Sequence, residues 1–351
     1  MAGSITLNGT INNAGIIRSR REDDTQGFSN YLVVNGQSRL EGPGRFILGG
    51  AAKNQIVPGT VAPYELTVSA AHEVTTSSDT YGGYQGTSIH TRLVNQGTLT
   101  ADGGVLNLYS LPKVNQGTFR AINGGQLELQ ANVDNTGGTV LAGANSTIYH
   151  NAALTGGTVT GPGRLLINSN GNFIGPMLLE SSLTTALDGG NTGMAGTITN
   201  NGLLTIGSAT ITNSAYLYLN GPVTLNGSGK LLFQNLGRRQ ILAATNVVTD
   251  VLTIGPQQEI ITDARTDSNY QSSSIHARII NEGTVTANRG QLSLYDQPKI
   301  NHNLLRAING GFLNMQANVD NTGATVLAGA GSTVNLNAAL TGGTVTGPGR
   351  L

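Results

Sequence analysis

A polysaccharide-cleaving centre on a repetitive β scaffold needs two or three carboxylates converging on one groove. Four acidic side chains could supply them: Glu73, Asp102, Glu128 and Asp134. A second copy of the same stretch follows in the chain and tests each one. Asp102 is answered by Asn288 and Glu128 by Asn314, whereas Glu73 recurs as Glu259 and Asp134 as Asp320. Neither recurring acid has an acidic neighbour at the repeat spacing. Asp134, in the phrase VDNTG, suits an Asx-type hydrogen bond at a chain corner. His90 and His276 recur, each followed two residues later by Arg, while His150 is answered by Leu336 and so occupies a place that accepts an apolar side chain. No histidine pair has metal-ligand spacing, and no acidic run matches a calcium loop. The phrase GGTVTGPG lacks the Lys-Ser/Thr of a phosphate loop and opens no helix. These patterns predict no catalytic residue, no metal and no cofactor.

Two other residue sets carry recognisable chemistry. Asn95, Asn115 and Asn135 fall in one column at a spacing of about 20 residues, and Asn281, Asn301 and Asn321 repeat it. Amides stacked at strand spacing can each donate to one neighbour and accept from the other, which satisfies a polar group buried at a corner. The second set is Tyr81, Tyr84 and Tyr270, set among Gly, Ser, Asn and Gln in the stretches TSSDTYGGYQGTS and TDARTDSNYQSSS. That is the composition of adaptable polar recognition loops, so these tyrosines are candidate ligand-binding residues.

The elements that position these groups follow from alternation. Leu99 and Ala101, Leu106 and Leu108, and Leu127 and Leu129 recur with a period of two, as in strands with one buried face. Gly-Gly, Asn-Gly and Asp-Gly pairs between them supply the positive φ of sharp corners. A line of about 20 residues cannot bury its inward face alone, but a stack of such lines can. The expected fold is therefore an all-β parallel β-solenoid of about 20-residue coils. At about 4.8 Å per coil, roughly 17 coils would make a rod about 80 Å long. Gly117 in NQGTF is answered by Asn303 in NHNLL, a pairing expected where the backbone turns left-handed.

Composition narrows the partners. Of 351 residues 50 are Gly, 11% are charged, and none is Cys or Trp. Nineteen basic and nineteen acidic residues cancel, which argues against nucleic acid or an anionic membrane as partner. No apolar run is long enough to span a membrane, so no membrane insertion is expected.

Self-similarity also operates at a larger scale. Residues 90–165 match 276–351 without a gap, with roughly two-thirds identity, which exceeds what shared periodicity produces. The chain reads as two solenoid repeat units, residues 1–187 and residues 188–351, the second shorter. Copy two ends in GPGRL with no polar cap, and Met1 lies in a phrase that recurs at Met194, so a segment of a longer repetitive protein is expected. The mixed-charge insert at 18–24 in copy one is expected to be a solvated loop. Open strand edges would permit end-to-end self-association.

The phrases LVNQGTLTADGG, FRAINGGQLELQ, VDNTGGTVLAGANSTI and LTGGTVTGPGRL resemble repeats of large bacterial secreted proteins. The groups they resemble are autotransporter passenger domains and filamentous-haemagglutinin-like adhesins. That resemblance implies a right-handed parallel β-helix, extracellular or on the bacterial cell surface, serving as adhesin, stalk or filament. It implies a surface glycan or a receptor on a host or neighbouring cell as a possible partner. Two rival readings remain: a glycan-binding module using the Tyr-bearing loops, or a polysaccharide-degrading β-helix.

Overall fold

Short alternating phrases closed by tight corners leave each strand one greasy face, and the chain covers it by stacking strands in register. In the computed structural model, residues 3–19, 29–49, 53–78, 86–207, 213–234, 237–245, 248–262 and 273–351 are described. Among the described residues there are strands and corners but no α-helix, and the strands pair in parallel. The protein is an all-β parallel β-solenoid, as the periodicity predicts. It divides into two compact units, Met1–Leu165 and Leu166–Leu351. Leu165 and Leu351, the last residues of the units, are partners in the recurrence of 90–165 at 276–351.

In the first unit one coil consists of three strands, Arg92–Asn95, Thr98–Asp102 and Val105–Leu108. The next coil lays Lys113–Asn115, Thr118–Ile122 and Gln126–Leu129 beside them. Unbroken register turns the period of two into columns: Leu99, Phe119, Val140 and Val159 stack, as do Leu106, Leu127 and Ile148. All seven are fully buried. Each contributes about 1.5–3 kcal/mol by leaving water. Further toward the N-terminus the strand Asn30–Glu41 serves two faces, pairing with Asn54–Pro58 and with Glu65–Val68.

The second unit repeats the plan. Its strand Ala215–Asn226 pairs with Arg239–Ala243 and Val251–Ile254, and one core column runs Leu217, Ile241, Ile275, Leu294 and Met315. One aliphatic column in each unit takes up a lysine. In the first, Leu93 is followed by Lys113, Val133 and Leu154; in the second, Ile279 is followed by Lys299, Val319 and Leu340.

The expected left-handed turn at Gly117 and Asn303 is not observed, since neither has a positive φ. The left-handed residues lie instead at neighbouring corners such as Asn123, Gly137 and Asn145. What limits position 117 is room: a Cβ there would stand 2.1 Å from the Gly97 carbonyl oxygen. Asn303 carries that Cβ, and its side-chain amide donates to the Glu282 carbonyl at 3.1 Å.

Candidate functional site

The Asn columns sit inside the coils. Asn95 Nδ2 donates to Asn115 Oδ1 at 2.7 Å, and Asn115 Nδ2 to Asn135 Oδ1 at 2.6 Å. Asn281, Asn301 and Asn321 repeat this at 2.7 and 2.6 Å. All six side chains are buried. Each column ends by donating to corner carbonyls, Gly138 and Gly156 for Asn135, and Ala324 and Gly342 for Asn321. The heads differ from the interior, because Val68 pairs with Asn95 and Ile254 with Asn281. With an aliphatic residue above, Asn95 Oδ1 and Asn281 Oδ1 have no donor among the described residues.

The recurring acids also find structural partners. Asp134 Oδ1 accepts from the Thr136 amide and Asp320 Oδ1 from the Thr322 amide, both at 3.0 Å, which are Asx turns. Glu73 lies between Arg45 at 2.8 Å and Arg120 at 2.9 Å and accepts from Thr100 at 2.7 Å. Glu259 repeats the set with Lys230, Arg306 and Thr286. Burial alone would push the Glu73 carboxyl up. Hydrogen bonds from Thr100 and Arg120, with the charges of Arg45 and Arg120, outweigh burial and hold it below its ordinary value. The two acids that change between copies keep hydrogen bonds as amides. Asn123 Nδ2 donates to Asp102 Oδ1 at 2.7 Å, and Asn309 Nδ2 donates to Asn288 Oδ1 at 2.9 Å. Glu128 accepts from Gln130, and Asn314 accepts from Asn335 and Asn337. Among the described residues no group of three His, Asp or Glu side chains could hold a metal.

The recurrence of His90 and His276 hides a richer corner than sequence reasoning found. His90 stacks on Tyr109 with centroids 5.5 Å apart, and His276 on Tyr295 at 5.2 Å. His90 Nε2 lies 3.0 Å from Ser88 Oγ, and its Nδ1 lies 3.0 Å from Ser110 Oγ. In the second copy the flanking atoms are Ser274 Oγ at 3.0 Å and Asp296 Oδ2 at 2.7 Å. Ser274–His276–Asp296 has the connectivity of a nucleophilic triad. Ser274 is nevertheless fully buried and shares His276 Nε2 with the Gln240 amide at 3.2 Å. The arrangement orders a corner through hydrogen bonds from both sides of the ring.

Beneath each histidine lies the buried lysine of the core column. Lys113 Nζ donates to the carbonyls of Thr91, Tyr109 and Leu111 at 2.9, 2.7 and 2.5 Å. Lys299 Nζ donates to those of Ala277, Tyr295 and Gln297 at 2.8, 2.7 and 2.6 Å. Three acceptors match the three donors of an ammonium. Burial pushes both lysines down to about 7. It also lowers His90, and the charge of Lys113 adds to that effect. The signal that could have found this corner is Ser-x-His, which puts both side chains on one strand face, with Tyr and then Lys about 20 residues on, one coil further along.

An open cleft of about 530 Å³ lies outside this corner in the first unit, with Gln55, Pro58, Tyr64, His90, Ser110 and Leu111 among its walls. Tyr81, Tyr84 and Tyr270, and the charged insert from residue 20 onward, lie outside the described residues.

No protein-family model matches the chain, and no curated protein matches it. A solved structure, that of the TibC-catalyzed hyper-glycosylated TibA55-350 fragment, is similar at 15% identity and a TM-score of 0.31, covering 97% of this chain and 100% of that one. A likeness at that level assigns neither a fold nor a function.

Proposed function

We propose that the chain is a structural, non-enzymatic β-solenoid segment of a long extracellular or cell-surface repeat protein of bacteria, an adhesin stalk or filament subunit. The observation that carries this reading is the way the two copies treat their acids. Asp102 and Asn288 hold the same corner through the same hydrogen bond, so the position needs an acceptor and not a charge. Catalytic carboxylates do not tolerate that exchange, because general acid and base work needs a group that titrates. The recurring polar groups serve the coils in the same way: amides, Glu–Arg sets and buried lysines are all consumed by neighbouring coils. The resemblance of the repeat phrases to secreted bacterial repeats supports a surface location.

The test has two arms. Incubation with acidic and neutral polysaccharides should release no new reducing or unsaturated ends, and their appearance would remove the non-enzymatic reading. Electron microscopy of dilute and concentrated protein should show separate particles giving way to end-joined filaments. Unchanged single particles at high concentration would count against the filament form and leave a displayed stalk.

A further inference from the structure

At one corner the two units use the same backbone register for different purposes. Tyr64 precedes the strand Glu65–Val68, which pairs with Arg92–Asn95; Asp250 precedes Val251–Ile254, which pairs with Arg278–Asn281. Asp250 is 1% exposed, and its carboxylate ties the loop down by accepting from the amides of Gly221 at 2.9 Å and Thr245 at 2.8 Å. Tyr64 instead lines an open cleft, and it does so at a φ of 56°. A bulky residue in that region carries backbone strain. The coil geometry does not demand it, because Asp250 makes the equivalent corner without a positive φ. Ser110, across the cleft, has a φ of 62°.

The walls define the ligand chemistry. Tyr64, Pro58 and Leu111 supply an apolar platform and Ser110 an exposed hydroxyl, while both ring nitrogens of His90 already face Ser88 and Ser110. Among the described residues that line the cleft none is a formally charged Lys, Arg, Asp or Glu. Lys113 lies beneath, but its three donors are consumed by carbonyls. A volume of about 530 Å³ suits a small molecule and is too small for a folded partner. A neutral ligand with one apolar face and a rim of hydroxyls satisfies every wall.

We propose that this cleft of the first unit binds a neutral pyranose sugar, with the ring face on Tyr64 and a hydroxyl meeting the exposed hydroxyl of Ser110. The corresponding place in the second unit, occupied by Asp250, does not bind it. The site is independent of the structural reading above: if no sugar binds, the ladders that hold the coils are unaffected.

The experiment is an amide-resolved NMR titration of the full chain with lactose, maltose and cellobiose, and with sialyllactose as the anionic comparison. At least one neutral disaccharide should give saturable shifts at Tyr64, Ser110 and Leu111, and none at Asp250, Asp296 and Gln297. Tyr64→Ala should weaken that binding roughly tenfold, the value of one lost aromatic platform, while Tyr64→Phe should keep it. No saturable shift with any sugar would overturn the proposal. So would preference for sialyllactose, equal shifts in both units, or binding that ignores Tyr64→Ala. Should Tyr64→Ala fail to fold, the wild-type shift map decides alone.

Discussion

The corners at His90 and His276 share a stacked tyrosine, a serine on Nε2 and a buried lysine, yet they differ at the residue facing Nδ1. Ser110 faces one ring and Asp296 the other, at nearly the same backbone angles, φ 62° and 59°. What is held constant is the part that closes the coil: three carbonyls that would be stranded without an ammonium. What varies sits at the rim, where water can replace a lost partner. The interior of this corner therefore answers to hydrogen-bond accounting and the rim is free to take on function. Predictions that separate interior from rim test that division.

The largest effect is expected inside the Asn column. Asn115→Ala leaves Asn135 Oδ1 without its donor and takes from Asn95 Nδ2 its shortest acceptor, although the Gly97 and Thr118 carbonyls still face that amide. At ~1–3 kcal/mol for the buried orphan and about 1 kcal/mol for the other lost hydrogen bond, the loss should be about 2–4 kcal/mol. Asn95→Ala should cost less, because its Oδ1 already has no donor and Val68 lies above it. In a stacked repeat one global unfolding energy is poorly defined, so the reading should be local hydrogen exchange. The amides of Gln116 and Gly117, which donate to the Asn95 carbonyl, should lose protection in Asn115→Ala. The His302 amide, bound to the Asn281 carbonyl, should keep its protection. Equal loss from Asn95→Ala and Asn115→Ala would mean that the ladder is not the unit of stability.

The same division explains what could be read from the sequence. The strands, the coil length and the placing of Asn95, Asn115 and Asn135 in adjacent coils all derive from periods of two and about 20, which the chain prints directly. The buried lysines were legible only through the recurrence of Ser-x-His with Tyr and Lys one coil on, and not from their own surroundings. A Lys between Val and Pro residues in LPKVNQG gives no sign that its stem fills an aliphatic column and its head meets carbonyls of two coils. Those carbonyls belong to main chain, which has no sequence signature. The left-handed reading of Gly117 failed for a related reason, since a shortage of space set by the Gly97 carbonyl looks in sequence like a requirement for positive φ. The cleft beside Tyr64 was invisible because it depends on Asp250 being different, and a difference between copies reads as drift until the bonds of Asp250 are seen.

A middle-sized effect is expected from the lysines. Burial lowers Lys113 from 10.5 to about 7 in the folded protein. Between about pH 7 and 10.5 the unfolded chain therefore binds more protons than the folded one, and stability rises with pH across that window. As the pH falls toward 7 that contribution is lost. The slope is bounded at ~1.4 kcal/mol per pH unit for each lysine. Lys113→Met should remove its part of the slope, measured as the difference in local exchange between variant and wild type at pH 7 and pH 9. Lys299, which burial likewise lowers to about 7, should contribute a slope of the same size. A flat wild-type profile would mean that the three carbonyls offset burial completely.

The smallest effect belongs to the rim. Ser110→Asp gives the first corner the residue of the second at a backbone angle that already carries Asp at position 296. Stability should change little, because Ser110 is solvent-exposed and a surface charge pair contributes about 0–1 kcal/mol. The His90 imidazole should respond clearly. Burial and the charge of Lys113 hold it below its ordinary value, and a carboxylate beside Nδ1 favours the imidazolium. Its titration, followed by the imidazole carbon-bound proton in NMR, should move upward while the Tyr109 stacking shifts persist. An unchanged midpoint would show that the introduced carboxylate turns to water. The Asp296–His276 contact would then depend on something in the second corner that Ser110→Asp does not copy, and Gln297, which stands where the first corner has Leu111, is the first residue to exchange.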